Sequence, residues 1–216
     1  DYTDDYLEDL HGVNKDDVVI YKGDAETYAI GYKLDEGEIP AGQNEDYYFR
    51  ELLNFFDTHK NLSRQEDYDE FCKLVDPQSV MDYFAVQCWI NNKWDWPGKN
   101  WSMWKTTAID ESNPYADGRW RFMFYDMEFG GISGKSDAYA NTIKEDNYKP
   151  NGLLDRDTNN PAVLCFVYLM SNESFRNSFY TRLRTLSYSN FGQQVLQTQL
   201  QEFKNIYAPL YNQFFQ

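Results

Sequence analysis

One stretch of the sequence constrains the fold more than any other: an apolar helix pattern that runs directly into a tryptophan-rich loop. Residues 76–93 read DPQSVMDYFAVQCWINNK. Asp76 at the N-cap and Pro77 in the first turn are typical of a helix start. Apolar residues then recur at helical spacing, at positions 80, 81, 84, 85, 88 and 89. The pattern predicts a buried helix against which the other elements pack.

The loop that follows, residues 91–101 (NNKWDWPGKNW), surrounds one carboxylate, Asp95, with three tryptophans. Pro97 and Gly98 predict a turn in this loop. A catalytic carboxylate has to be held in one geometry and partly shielded from water. The indole rings could form such a wall; they belong to Trp94, Trp96 and Trp101. The alternative is that the tryptophans serve packing alone.

The rest of the chain predicts an α+β fold that is mainly helical. Helical patterns cover residues 1–15, 46–60, 63–74 and most of the C-terminal half. Ser63 followed by Glu66 resembles a capping box, and plausible caps later in the chain are Asn172 and Asn190. Short β-prone runs occupy residues 16–23, 27–34, 101–108 and 118–126, and the last two read as an antiparallel pair.

Composition excludes several functional classes. A chain of 216 residues fits a single domain. Its formal net charge of −15 argues against sequence-independent binding of nucleic acid and against docking on anionic lipid. No apolar run approaches the length of a membrane span, so membrane insertion is not expected. The three cysteines have no metal-like spacing and are predicted to be ordinary buried thiols.

Two carboxylates lie where a predicted regular element ends. Asp95 follows the buried helix, and Asp126, in YDMEFGG, follows a strand. Phosphoryl transfer needs a carboxylate to orient the attacking hydroxyl, and an amide oxygen with a second carboxylate to hold magnesium. Asp95 and Asn100 have the Asp-x-x-x-x-Asn spacing that protein kinases use, and Asp126 occupies the strand-end position. The spacing alone is also compatible with a turn residue at Asp95 and a capping group at Asp126.

The central segments VMDYFAVQCWINNKWDWPGKNWSMWK and GRWRFMFYDMEFGG resemble the spore-coat protein H (CotH) kinase family. Upstream DDVVIYKGDAE and YAIGYKL, and downstream NPAVLCFVYLMSNESFRNSFYTRLRTL, are also similar to segments of that family. The resemblance spans roughly Asp9 to Phe191. It implies a protein kinase-like domain, similar to a kinase C-lobe, that uses ATP and a divalent metal, Mg or Mn, to phosphorylate a protein substrate.

Position by position, the resemblance implies that Asp95 is the catalytic aspartate. Asn100 and Asp126 match the metal- and nucleotide-binding positions, and Glu128 stands where the family more often has Asp or Asn. We therefore expect Asp95 and Asp126 to face one cleft, with Asn100 near Asp126. Lys22 is either a phosphate contact or a solvated strand end.

The family's N-terminal part, which carries the basic residues that clamp the nucleotide, has no counterpart before Asp1. The chain is therefore expected to be a fragment of one CotH kinase-like domain, residues 1–216. For these residues alone we expect weak or undetectable ATP binding by calorimetry.

The favoured function is transfer of the ATP γ-phosphoryl group to a serine or threonine hydroxyl of a protein. One alternative is a catalytically inactive pseudokinase or scaffold of a cell-surface assembly. Another is a carbohydrate-binding module, because exposed aromatic rings stack on sugars. The resemblance implies a secreted or cell-surface location.

The other basic residues have simpler expected roles. Lys99 is predicted to pair with a neighbouring acid or, less favourably, to touch phosphate. Lys105 is predicted to be solvated. Arg119 and Arg121 alternate with aromatic residues, which predicts one exposed face of a strand.

Overall fold

The computed structural model describes residues 3–92, 96–127, 130 and 160–214, with the Asn212 side chain left out. Within these residues there are seven α-helices and one four-stranded sheet. The helices are α1 (Asp4–His11), α2 (Arg50–Thr58), α3 (Gln65–Leu74), α4 (Pro77–Trp89), α5 (Pro161–Ser171), α6 (Glu173–Tyr188) and α7 (Gln193–Phe214). The strands are β1 (Val18–Asp24), β2 (Tyr32–Glu36), β3 (Lys99–Thr106) and β4 (Arg121–Met123). The expected α+β, mainly helical class is confirmed.

Helix α4 is the predicted buried helix, and it lies between the sheet and the C-terminal helices. The Asp76 carboxylate accepts hydrogen bonds from the backbone N–H groups of Gln78 and Ser79, as expected of an N-cap. On one side Phe84 stacks on Phe166 of α5, with ring centroids 4.3 Å apart. On the other side Tyr83 stacks on Phe122 of β4 at 4.7 Å. Because it has neighbours on both sides, α4 buries Val80, Tyr83, Phe84, Ala85 and Gln87, and only the side with Gln78 and Asp82 is polar and open to solvent.

The sheet is antiparallel throughout, in the order β2-β1-β3-β4. Val18 to Gly23 of β1 pair with Thr106 to Trp101 of β3, and the pairing of β3 with β4 confirms the predicted antiparallel pair. Alternate side chains enter two separate cores. The core shared with the helices includes Tyr21, Trp101, Met103 and Phe122. The core on the α1 side consists of Leu7, Val13, Val18, Ile20, Trp104, Ala116 and Met123.

Residues 27–31 were predicted as strand but form turns, and β2 begins at Tyr32. The cause is the Asp24 carboxylate, which accepts hydrogen bonds from the backbone N–H groups of Glu26 and Thr27. A side chain that binds the backbone two and three residues on offers a local alternative to the strand ladder. The second β-prone run is therefore shorter than its composition indicates.

Two predicted caps are wrong, although the helices are present. Helix α3 has Arg64 as its N-cap residue and no side-chain cap. Ser63 instead hydrogen-bonds the Asn61 side chain through both its backbone N–H and its hydroxyl. The Asn172 cap of α6 is confirmed by its hydrogen bond from the Phe175 N–H, whereas α7 starts at Gln193, too late for a cap at Asn190.

The expectation that Arg121 lies on an exposed face is wrong, because its side chain is buried. The connection between β3 and β4 folds over the guanidinium, and both oxygens of Asp117 accept hydrogen bonds from it at 2.8 Å. Nε lies 3.2 Å from the Asp76 carboxylate, at the start of α4. Arg121 therefore joins the β3–β4 connection to α4. Arg119 is partly exposed and pairs with the same Asp117.

Lys105 was predicted to be solvated but is partly buried, with its amine 5.4 Å from the ring centroid of Trp120. Burial lowers the pKa of this amine. Among the described helices, none combines the length and the apolar character that crossing a bilayer would require.

The ion pair of Asp117 with Arg121 predicts an acid-sensitive stability. Partial burial opposes the charged form of Asp117, but hydrogen bonds from Arg121 and Arg119 outweigh it and set its pKa well below the usual range. The stabilisation is therefore complete above the unfolded-state pKa of about 3.9 and is lost as the pH falls below it.

We expect Asp117→Asn to lower the free energy of unfolding near neutral pH by about 1–3 kcal/mol, because the buried Arg121 then keeps only the Asp76 carboxylate as a counter-charge. The difference between variant and wild type should shrink when urea unfolding is repeated at about pH 3. Glu111→Gln, at an exposed acid of the same connection, is the matched control. A difference that is the same at both pH values would contradict this role of Asp117.

Candidate functional site

The loop that carries Asp95 leaves α4 through a polar anchor. The Asn92 side chain is fully buried, and its Nδ2 donates a hydrogen bond to Gln87 Oε1 at 3.0 Å. The Asn92 backbone N–H also donates to the Gln87 carbonyl at 3.1 Å. Asn91 between them adopts a left-handed backbone, with φ 52°. These contacts fix the direction in which the chain leaves the helix. Asp95 itself lies outside the described residues, as does Trp94.

The chain after Asp95 is held from two sides. Trp96 is fully buried, and its Nε1 donates a hydrogen bond to the Tyr83 hydroxyl of α4 at 2.9 Å. Asn160, the N-cap of α5, donates from Nδ2 to the Pro97 carbonyl at 2.7 Å. Burial raises the pKa of Tyr83, so its phenol stays neutral. The loop is therefore fastened to α4 and α5 within two residues of Asp95.

Trp101 fills the space left by a glycine on the neighbouring strand. Gly23 pairs with Trp101 across β1 and β3, and a Cβ atom on Gly23 would lie 1.9 Å from the indole Nε1. Only glycine leaves room for a ring in that position. The indole is buried together with that of Trp96. The described loop tryptophans, Trp96 and Trp101, therefore pack inside the domain.

The turn after β1 lies against the same loop. The Ala25 N–H donates a hydrogen bond to the Gly98 carbonyl at 3.0 Å. The Lys99 amine lies 3.2 Å from the Glu26 carboxylate, which confirms the prediction that Lys99 pairs with a neighbouring acid. Burial opposes the charged form of Asp24, but hydrogen bonds from Thr27 and Glu26, together with the Lys99 charge, outweigh it and lower the pKa of Asp24.

Asn100 and Asp126 lie beyond the same end of the β3–β4 ladder. Ser102 pairs with Met123 in this antiparallel ladder; Asn100 comes two residues before Ser102, and Asp126 three residues after Met123. Asn100 is buried and Asp126 is exposed. Both have a left-handed backbone, with φ 60° and 48°. Such φ values are uncommon in residues other than glycine and cluster at functional sites.

A glycine brings the segment after Asp126 against the end of α4. Gly130 is packed so closely on the Ile90 side chain that a Cβ atom would lie 2.6 Å from Cδ1. Ile90 is the C-cap residue of α4, five positions before Asp95. The segment after Asp126 and the loop that carries Asp95 therefore both lie next to the C-terminal end of α4. Asp95 and Glu128 lie outside the described residues. The shared cleft of Asp95 and Asp126, and the metal contact of Glu128, therefore stay predictions.

Lys22 is not a solvated strand end. Its amine lies 2.6 Å from the Asp35 carboxylate of β2 and 4.7 Å from the ring centroid of Tyr125, the residue before Asp126. The Lys22 side chain is only 19% exposed. The sequence analysis did not predict the contacts of Lys22 with Asp35 and Tyr125. These contacts depend on the strand register, which pairs Lys22 with Lys33 across β1 and β2 and which the sequence does not reveal.

Several buried polar atoms next to this region have no hydrogen-bond partner among the described residues. They are Asn92 Oδ1, Trp101 Nε1 and Ser102 Oγ. Ser102 pairs with Lys22 on one side and with Met123 on the other, so it lies within the sheet between Lys22 and the strand that leads to Asp126. Buried polar groups are normally satisfied. Unsatisfied groups of this kind are compatible with a ligand-binding region.

The side-chain oxygens expected at this site suit an ion such as magnesium, most of whose ligands come from phosphates and water. No three His, Cys, Asp or Glu side chains converge on a possible metal position within the described part of the chain. The described residues expected to hold a metal are Asn100 and Asp126, whose amide and carboxylate oxygens are hard ligands. Magnesium is usually held by one or two protein oxygens, with phosphates and water completing its shell. These residues therefore fit a metal–nucleotide complex better than a preformed all-protein cage.

Comparison with known proteins gives one match. The family model described as CotH kinase protein matches residues 1–216. No curated protein and no solved structure matches the chain.

The contact of Gly23 with Trp101 predicts that substitutions at the two positions have non-additive effects on the free energy of unfolding. We expect Gly23→Ala to lower the free energy of unfolding by about 1–3 kcal/mol, because the methyl group and the indole cannot occupy the same space. Trp101→Leu should also destabilise the fold, by leaving a cavity. In the double variant the added methyl group no longer meets the indole, so its cost should be smaller than the sum of the single costs. Urea unfolding of the four proteins measures this cycle, and additive effects would contradict the steric explanation.

Proposed function

Because the chain belongs to the CotH kinase protein family, we propose that it transfers the γ-phosphoryl group of ATP to a serine or threonine hydroxyl of a protein substrate. The observation that carries the proposal is the pair of left-handed residues, Asn100 and Asp126, at one end of the β3–β4 ladder. They are the two described positions that the kinase pattern assigns to the metal. Asn100 is the extra residue of a β-bulge in β3, because Gly23 pairs with Trp101 and Asp24 with Lys99; bulges of this kind are over-represented next to active sites.

Asp95 is proposed to orient the acceptor hydroxyl and to take its proton. The acceptor oxygen attacks the γ-phosphorus, the bond to the β,γ-bridging oxygen breaks, and ADP leaves. Asn100 and Asp126 would hold magnesium or manganese, with Glu128 as a further contact. The metal, when bound, neutralises charge on the phosphate oxygens. The Lys22 amine, which pairs with Asp35, lies 4.7 Å from the ring centroid of Tyr125 and so places a cation near that strand end.

The contacts of the loop support this assignment, because catalysis needs prepositioned groups. The loop is held at Asn92 by α4, at Trp96 by Tyr83 and at Pro97 by the N-cap of α5. The Asp126 segment packs on Ile90 through Gly130. A rigid support on both sides of the two aspartates is what a two-carboxylate phosphotransfer site requires.

The carbohydrate-binding alternative requires exposed aromatic rings, and the loop tryptophans could have supplied them beside Asp95. Trp96 and Trp101 are buried and Trp96 donates its N–H to Tyr83, so neither ring can stack on a sugar. The scaffold alternative has one observation in its favour, the exposed apolar face of α7. A kinase-like domain can carry both an active site and such a face. A secreted or cell-surface location is proposed from the family alone.

Substitutions of Asp95 and Asp126 should have different effects on phosphoryl transfer and on nucleotide binding. Asp95→Asn should lower phosphoryl transfer by about two orders of magnitude or more, because acceptor activation acts mainly in the transition state. Its nucleotide affinity should barely change. Asp126→Asn should also weaken metal-dependent nucleotide binding. Radiolabelled-ATP transfer and nucleotide titration with and without magnesium measure both effects.

Asp126→Asn should leave the fold intact, because the side chain is exposed and asparagine tolerates a left-handed backbone. Asp57→Asn, at an exposed acid of α2, is the matched control and should change neither quantity. Melting curves check that all variants are folded. Undiminished transfer by both Asp95→Asn and Asp126→Asn would overturn the proposed roles.

A further inference from the structure

Helix α7 differs from every other helix because all of its described side chains are exposed. The exposed large hydrophobic residues of the described chain number sixteen, and nine of them lie on α7. They are Val195, Leu196, Leu200, Phe203, Ile206, Tyr207, Leu210, Tyr211 and Phe214. Neither hydrophobic core contains a residue of α7. An apolar surface of this extent marks an interaction site.

Six of these residues form a stripe with the spacing of a coiled coil. Successive members are separated by four, three, four, three and four residues. The stripe consists of Leu196, Leu200, Phe203, Tyr207, Leu210 and Phe214. The rings of Phe203 and Tyr207 stack with centroids 6.1 Å apart, so neighbouring members share one side of the helix. An alternating three–four repeat is the pattern that packs against a second helix. Pro209 lies off the stripe.

The charge of α7 favours a partner with the same helix. The chain carries a formal net charge of −15, but α7 contains only one acid, Glu202, and one base, Lys204. Amide and hydroxyl side chains occupy most of its remaining polar positions. Two copies can therefore bring their α7 helices together without like charges at the contact. A strongly charged partner would have almost no opposite charges on α7 with which to form ion pairs.

The size of the stripe suits a modest dimer. A helix of 22 residues is about 33 Å long. If each stripe side chain loses roughly 100 Å² of accessible surface, two copies bury on the order of 1,200 Å². This is the lower end of the range for specific interfaces. Pairing a patch with its own copy about a two-fold axis needs no second complementary surface.

We propose that α7 is a dimerisation helix, whose stripe packs against the stripe of a second copy of this chain. The proposal is independent of phosphoryl transfer and goes beyond it. The contact places two kinase-like domains in one particle. It also removes from water the largest group of exposed apolar side chains among the described residues.

Sedimentation equilibrium of the chain between about 1 and 100 µM tests the proposal. Wild type should associate to a dimer. The double variant Leu200→Glu with Phe203→Glu should weaken the dimer at least about a hundredfold, because both changes put charges in the middle of the stripe. Thr198→Glu with Asn205→Glu adds the same charge on the opposite side of α7 and should leave most of the affinity. Raising the salt concentration should strengthen the dimer, because it screens the repulsion between two chains of −15.

Circular dichroism and melting curves at a concentration where wild type is monomeric check the fold of both double variants. A wild-type chain that stays monomeric at about 100 µM in high salt would overturn the proposal. A dimer that is equally stable in the Leu200/Phe203 variant would also overturn it, because the interface would then lie elsewhere. If the monomer instead co-sediments with phosphatidylcholine vesicles, the stripe binds lipid and the proposal is wrong.

Discussion

The packing of α4 on both sides is the interaction on which the rest of this structure depends. Phe84 stacks on α5 and Tyr83 stacks on β4, so one helix joins the sheet to the C-terminal helices. Burying aromatic side chains on both sides gives α4 a large share of the hydrophobic free energy. A helix packed in this way cannot shift without disturbing both layers. The loop that leaves its C-terminal end consequently starts from a fixed point.

Polar contacts at the two ends of α4 fix the orientation of the sheet and of the loop relative to this helix. At the N-terminal end, Asp76 caps the helix and lies beside the buried Arg121 guanidinium, which Asp117 holds from the β3–β4 connection. At the C-terminal end, Asn92 binds Gln87. Buried polar groups of this kind are costly unless paired, so they permit few alternative arrangements. The sheet and the loop are thereby held in one orientation relative to the helix.

The candidate site combines left-handed backbones with buried polar atoms that have no hydrogen-bond partner among the described residues. Asn91, Asn100 and Asp126 adopt left-handed backbones, and Asn92, Trp101 and Ser102 keep buried polar atoms that no described residue satisfies. Local strain and unpaired polar groups persist only where the surrounding structure is firm enough to impose them. The rigid frame around α4 supplies that support. Stability and the proposed phosphoryl transfer therefore depend on the same helix.

The sequence determined the elements whose signals are local. The apolar repeat of α4, its Asp76–Pro77 start and the alternation in β3 and β4 each depend on neighbours a few residues away. The resemblance of the central segments to the CotH kinase family was likewise readable from contiguous residues, and the family match confirms it.

Tertiary structure alone decided which charges are buried. Arg121 and Lys105 looked like exposed strand residues, but a folded connection covers the first and Trp120 lies beside the second. The pairing of Lys22 with Asp35, and the position of its amine beside Tyr125, follow from strand register and not from spacing. The fit of Trp101 over Gly23 also depends on register. Local patterns specify elements because their interactions are local, whereas register and side-chain burial are set by contacts between distant segments.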